Sequence, residues 1–173
     1  SDADRAQLHR TIWNIANDLR GSVDGWDFKS YVLGMMFYRF ISEKLSEYID
    51  DGERAAGNKD GIRFLSDKDA EWGRTSIVEE KGYFILPSEL FTNVCKQAAD
   101  EHYRENLNER LQQVFKNIEA SAKGTASESD LQGLFDDINL DSNKLGNSVI
   151  ERNNKIYDLM KHIGNMPVSY THL

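Results

Sequence analysis

The chain has 173 residues, of which 39% are hydrophobic, and a formal net charge of -8 from 21 basic and 29 acidic residues. This size and composition fit one domain with a substantial core, and the acidic balance argues against nucleic-acid binding through charge alone. No apolar run has membrane-spanning length and the first residues are polar, so we expect a cytoplasmic protein without a signal peptide or membrane anchor.

The first predicted element is a helical hairpin within residues 8–45. The apolar residues of its first arm recur at helical spacing and predict an amphipathic helix: Leu8, Ile12, Ile15 and Leu19. Gly21 is expected to end this arm, because glycine readily adopts the left-handed conformation found after many helices.

Several start signals precede the second arm. Asp24 is a plausible N-cap, Asp27 completes a weak capping box, and Val23 and Phe28 are spaced as a hydrophobic staple. Residues 31–41 (YVLGMMFYRFI) are apolar on nearly all sides, so this helix is predicted to be central and covered by other elements.

Arg39 interrupts this apolar helix, where an unpaired buried cation would be costly. One interpretation is structural, with the side chain extended to solvent or paired with a carboxylate. The other is a contact with a phosphate or a partner protein. We favour the structural interpretation.

The middle of the chain predicts shorter elements. Residues 50–60 are polar and contain glycine, which indicates a loop, and residues 62–80 predict short helices and irregular structure. Residues 83–86 are expected to be extended. Ser88 then caps a predicted helix through residues 90–98, whose apolar face includes the single cysteine, Cys95, as a small packed side chain.

Three further helices follow in the prediction. An apolar stripe runs from Leu107 to Ile118, a linker occupies residues 121–129, and a short helix spans residues 131–138. A last helix begins near Val149 and ends at Gly164. The predicted fold is therefore mainly α, a multi-helix domain built around a central apolar helix with few or no β-strands.

Several long segments together resemble one known family. They are residues 13–21 (WNIANDLRG), 24–29 (DGWDFK), 31–44 (YVLGMMFYRFISEK), 81–94 (KGYFILPSELFTNV) and 135–153 (FDDINLDSNKLGNSVIERN). In this order and spacing they resemble the N-terminal helical domain of the modification (M) subunit of type I restriction-modification systems. The resemblance covers Leu8 to about Met160.

The resemblance implies a parent subunit that is an adenine-N6 DNA methyltransferase using S-adenosylmethionine. It also implies a bacterial or archaeal complex with a specificity subunit, a second modification subunit and a restriction subunit, which contacts DNA when assembled. Residues 1–165 would then be the N-terminal helical domain, without the catalytic domain. Residues 166–173 (MPVSYTHL) depart from the family pattern and are expected to be a non-native or truncated tail.

The motifs needed for methyl transfer are missing from the sequence. An Asn-Pro-Pro-aromatic motif requires adjacent prolines, whereas the two prolines are Pro87 and Pro167. The nearest glycine pair, Gly21 and Gly25, lies between predicted helices and does not follow a strand, as a cofactor-binding turn would. The histidines are dispersed, without metal-ligand spacing. We therefore assign no catalytic, cofactor-binding or metal-binding residue.

Two classes of function stay open. The leading hypothesis is a non-catalytic domain of the methyltransferase subunit, which serves subunit assembly and the enclosure of DNA. The alternative is an independent helical DNA-binding or protein-interaction module unrelated to methylation. Under either hypothesis, Lys29, Arg39 and Lys44 are the candidates for contact with DNA or a partner.

Overall fold

In the computed structural model, the described residues are residue 10 and residues 25–58, 61–62, 65–136 and 138–166. The α-helices among them are α1 (Gly25–Ala55), α2 (Asp67–Ala70), α3 (Arg74–Lys81), α4 (Phe91–Gln97), α5 (Glu101–Arg104), α6 (Leu107–Ser121), α7 (Glu128–Phe135) and α8 (Val149–Gly164). Short 3-10 turns cover Glu71–Gly73, Pro87–Glu89 and Asn143–Leu145.

No β-strand occurs in this described part, so the mainly α prediction is confirmed. None of its helices has the length and apolar content needed to cross a bilayer.

Helix α1 is the central element, as its apolar sequence predicts. It contacts α4, α7 and α8. Tyr31, Met35, Tyr38 and Leu45 recur every three, four or seven residues along its inner face, and all four are buried. This continuous inner face is the floor of the hydrophobic core.

Aromatic contacts connect α1 to the helices above it. The Tyr38 ring packs edge-on against Phe91 and Phe115, with ring centroids 5.3 and 5.4 Å away, and Phe115 stacks on Phe135 at 4.2 Å. The buried Tyr38 hydroxyl donates a hydrogen bond to the backbone carbonyl of Glu89. One side chain thus joins α1 to α4, α6 and the turn before α4.

The predicted loop at residues 50–60 is wrong over its first half, because α1 continues to Ala55. A salt bridge between Arg54 and Asp51, 2.7 Å long, supports the last turn. Asp50 accepts a hydrogen bond from the backbone N–H of Ile62 at 2.8 Å, which anchors the chain that follows. These local interactions offset the modest cost of a glycine within the helix.

The predicted Ser88 cap is also wrong. Helix α4 begins at Phe91, and the Ser88 hydroxyl donates to Asp67. The backbone N–H of Phe91, at the start of the helix, donates to the hydroxyl oxygen of Ser42 on α1, at 3.1 Å, and not to Ser88. The cap therefore comes from a neighbouring helix, far away in sequence, and not from the helix's own N-terminal residues.

The predicted linker at residues 121–129 is shorter and more ordered than expected. Helix α6 includes Ser121 and α7 already begins at Glu128. Between them, the Thr125 hydroxyl donates to the carbonyl of Gly82 at 2.8 Å. Gly82 ends α3 with φ of 87°, a conformation that favours glycine, and an added Cβ would lie 2.4 Å from the Ser127 hydroxyl oxygen.

The other helix predictions have mixed outcomes. Short helices do occupy residues 67–81, and α6 and α8 follow the predicted stripes, with α8 ending at Gly164 as expected. Helix α7 begins three residues earlier than predicted, at Glu128, and ends at Phe135, so Ile138 lies beyond its end. Met166, assigned to the tail by sequence, is buried in the core. The first arm of the hairpin apart from Arg10, the N-cap residue Asp24, the side chains of Asp27 and Phe28, and residues 167–173 lie outside the described part.

Replacing Met35 by alanine tests the central position of α1. Met35 has no exposed surface, so truncation should lower the free energy of unfolding by about 2–5 kcal/mol. Leu33, two residues away on the same helix, is 53% exposed and serves as the matched control; Leu33→Ala should change stability by about 0.5 kcal/mol or less. Equal denaturation midpoints for the two variants would contradict the assignment of the inner face.

Candidate functional site

The outer face of α1 carries apolar side chains between two lysines. Lys29, Leu33, Phe37, Phe40 and Lys44 follow one another at intervals of three or four residues and therefore share a face. Lys29 and Leu33 are exposed, and the two phenylalanines are half-buried. Phe37 and Phe40 also pack partly against the core, and the ring centroid of Phe37 lies 6.3 Å from that of Phe135 on α7.

A groove opens beside the Lys44 end of this face. Its volume is about 570 Å³, and its lining comes from three separate parts of the chain. The lining residues are Phe37, Phe40, Ile41, Lys44, Lys81, Tyr83, Ser127, Asp130 and Leu131. We call this feature the aromatic–lysine groove. Its wall is fixed by the Tyr83 hydroxyl, which donates to the Ile41 carbonyl at 2.7 Å.

The two lysines of the groove lie over aromatic rings. The Lys44 ammonium is 5.8 Å from the centroid of Phe40, and the Lys81 ammonium is 4.6 Å from the centroid of Tyr48. Lys44 also lies 3.9 Å from a carboxylate oxygen of Glu47, a weak and exposed ion pair. The ammonium groups therefore have preferred positions at the rim, yet stay accessible to another molecule.

Arg39 has a different environment from the lysines. Its side chain is 6% exposed, and its Nε lies 2.6 Å from Glu43 Oε1. Its NH1 group donates to the backbone carbonyls of Ile163 and Met166, the latter at 2.7 Å, and so caps the C-terminus of α8. Arg39 is therefore paired with a carboxylate, as the favoured interpretation of the sequence expected, and it also lines a cavity of about 320 Å³ together with Glu43 and Lys161.

A second buried polar cluster is structural as well. Asn153 of α8 accepts from the backbone N–H of Asn108 at 3.0 Å and donates to the Glu105 carbonyl at 2.9 Å. Asn108 in turn donates to Asp141 at 2.7 Å. The hydrogen bonds from Gln112 and Asn108 lower the pKa of the Asp141 carboxyl. These contacts join α6, α8 and the segment between α7 and α8.

Two further titratable groups within the described ranges have a raised pKa. Burial raises the pKa of the Glu89 carboxyl, and a hydrogen bond from Asn117 at 2.8 Å opposes that rise. Burial also raises the pKa of the half-buried Cys95 thiol, which disfavours the reactive thiolate. Among the described residues, no group of three or more histidine, cysteine, aspartate or glutamate side chains is placed to hold a metal ion.

Comparison with known proteins identifies the family. The family model described as the HsdM N-terminal domain matches residues 8–163. The chain belongs to the HsdM N-terminal domain family. The resemblance seen in the sequence is thereby confirmed.

Two relatives show how this HsdM N-terminal domain relates to longer proteins. It is 40% identical over 167 residues to the type I restriction enzyme MpnII methylase subunit of Mycoplasma pneumoniae, a match that covers 94% of this chain and 31% of that protein. Its fold is similar to the crystal structure of the type I restriction-modification system methyltransferase subunit from Streptococcus thermophilus, with a TM-score of 0.75 and a sequence identity of 26%. That match covers 96% of this chain and 34% of the other. The chain thus spans about a third of each relative.

The structure places the predicted contact residues of this HsdM domain in separate environments. Lys29 and Lys44 lie on the outer face of α1, whereas Arg39 is on the inner side. Sequence reasoning missed Lys81 and Tyr83, because only the fold brings them beside Lys44. It also missed Trp72, which is 92% exposed in the turn Glu71–Gly73. The signal available in the sequence was a large apolar side chain within a polar segment that has no helical or strand periodicity.

The pH dependence of stability tests the role of the half-buried Glu89. Because the pKa of Glu89 is raised by folding, its charged form costs stability as the pH rises through the raised value. We expect Glu89→Gln to gain stability relative to the original chain as the pH increases from below about 4.3, the usual pKa of glutamate, to neutral. Denaturant midpoints measured across this range provide the test.

For Asp141 the expected change of stability with pH has the opposite sign, so this residue serves as the comparison for Glu89. Its pKa is lowered in the folded chain, so its stabilising contribution is complete above the unfolded value and is lost as the pH falls through the folded value. Asp141→Asn should therefore lose stability at neutral pH and approach the original chain in acid. A Glu89→Gln difference that is constant with pH would contradict the argument for Glu89.

Proposed function

We propose that this HsdM N-terminal domain is a non-catalytic part of the modification subunit of a type I restriction-modification system. The parent subunit is an adenine-N6 DNA methyltransferase that uses S-adenosylmethionine. The domain contributes to the assembly of the subunits and to the enclosure of DNA. The observation that carries this proposal is the family match across residues 8–163.

The non-catalytic role is supported by chemistry that the chain lacks. The sequence has no adjacent prolines for a target-base motif. Among the described residues there is no strand from which a cofactor-binding glycine turn could lead into a helix. The polar clusters that are present, around Arg39 and around Asn153, bind helix ends and backbone groups. The parent's methyl-transfer chemistry is therefore assigned to other residues of the subunit.

The proposed partners are the specificity subunit, a second modification subunit and the restriction subunit, in the cytoplasm of a bacterium. DNA is contacted within that assembly. We keep Lys29 and Lys44 as the residues that contact DNA or a partner, because both lie on the outer face of α1. We do not keep Arg39, because its hydrogen bonds hold α8.

Calorimetric titration tests the non-catalytic assignment. The chain should show no saturable binding of S-adenosylmethionine and no methyl transfer to DNA, because it has neither a cofactor turn nor a target-base motif. A functional methyltransferase titrated under the same conditions is the positive control. Stoichiometric cofactor binding by the chain would refute the assignment.

A mobility-shift assay separates this proposal from the independent DNA-binding module. With 29 acidic and 21 basic residues, the chain should bind duplex DNA weakly at near-physiological salt. The assembled complex should bind much more tightly. Tight, salt-sensitive binding by the chain alone would favour the independent module.

A further inference from the structure

The aromatic–lysine groove combines two properties that suit a particular kind of partner. Its floor is apolar, with Phe37, Phe40 and Leu131 contributing side chains. Its rim has two cations, Lys44 and Lys81, on a chain whose net charge is -8. The floor favours the burial of apolar side chains, and the rim favours carboxylates at its edge.

We propose that this groove binds an acidic amphipathic helix of another protein subunit. Apolar residues of that helix fill the space over Phe37 and Phe40, and its glutamate or aspartate side chains pair with Lys44 and Lys81. The inference rests on the proposed function only in that an assembly domain has subunit partners. It adds the location and the chemistry of one interface.

The shape of the surface favours a helix over an extended peptide. The outer face of α1 runs from Leu33, which is 53% exposed, to Lys44, and the half-buried Phe37 between them contacts Phe135 of α7. Along a helix of this kind, side chains three or four residues apart present a straight ridge, and a second helix can pack against such a ridge. The groove continues this ridge at its Lys44 end, so one partner helix can contact both.

DNA is the less favourable occupant of the same groove. A phosphate backbone would pair with Lys44 and Lys81 but leave the apolar floor unused. The carboxylate of Asp130 also lines the groove, and Glu47 lies close to Lys44. Both would repel a continuous row of phosphates, whereas a protein helix can place its few carboxylates away from them.

The test uses a labelled helical peptide with leucine on one face and glutamate along both flanks, titrated into the full chain. Backbone amide resonances of residues 37–44 and 81–83 should shift on binding. The double variant Lys44→Glu/Lys81→Glu should weaken binding by about tenfold or more, because two attractive contacts become repulsive. Lys116→Glu, an exposed change on α6, is the matched control and should retain binding.

Three results would overturn the proposal. The first is equal binding of a peptide whose flanking glutamates are replaced by lysine. The second is displacement of the acidic peptide by stoichiometric duplex DNA, which would assign the groove to nucleic acid. The third is tighter peptide binding after Ile12→Ser/Ile15→Ser, which would assign the groove to the chain's own N-terminal segment. The assay needs no methyltransferase activity, so its failure leaves the proposed function to the cofactor and DNA experiments.

Discussion

A buried guanidinium in the middle of α1 holds the last helix to the rest of the domain. Moving Arg39 out of water is costly, and the cost is offset only while Glu43 and the carbonyls at the end of α8 stay in place. The same geometry satisfies carbonyl groups that the end of α8 would otherwise leave unpaired. The interaction therefore fixes both the position of α8 and the rotation of α1 about its own axis.

The rotation of α1 about its own axis determines which of its side chains lie on the outer surface of the domain. With Arg39 and Met35 directed inward, Leu33, Phe40 and Lys44 are placed on the opposite face. Charged and apolar side chains on that face are accessible to a partner, whereas the Arg39 guanidinium is already hydrogen-bonded within the fold. Phe40 is only half-buried against the core, so part of its ring stays on the outer surface beside Lys44.

Helical periodicity was sufficient to predict the core of this fold but not its connections. The stripes of α6 and α8 are long, so their spacing alone located them. The cap of α4 was missed because its acceptor, Ser42, is distant in sequence, and the groove was missed because Lys81 reaches Lys44 only through tertiary packing. Arg39 shows the middle case: the sequence indicated a paired cation, and only the structure identified the α8 carbonyls as partners.

The most direct measurement is the unfolding free energy of Arg39→Met beside that of Arg54→Met. Both are arginines of α1 with a carboxylate partner, but Arg54 is exposed and Arg39 is buried. We predict a loss of about 3–5 kcal/mol for Arg39→Met, because the half-buried Glu43 carboxylate and the helix-end carbonyls lose a partner, and about 0.5 kcal/mol or less for Arg54→Met. Equal, small losses for the two variants would show that the guanidinium does not hold α8, and would contradict the account.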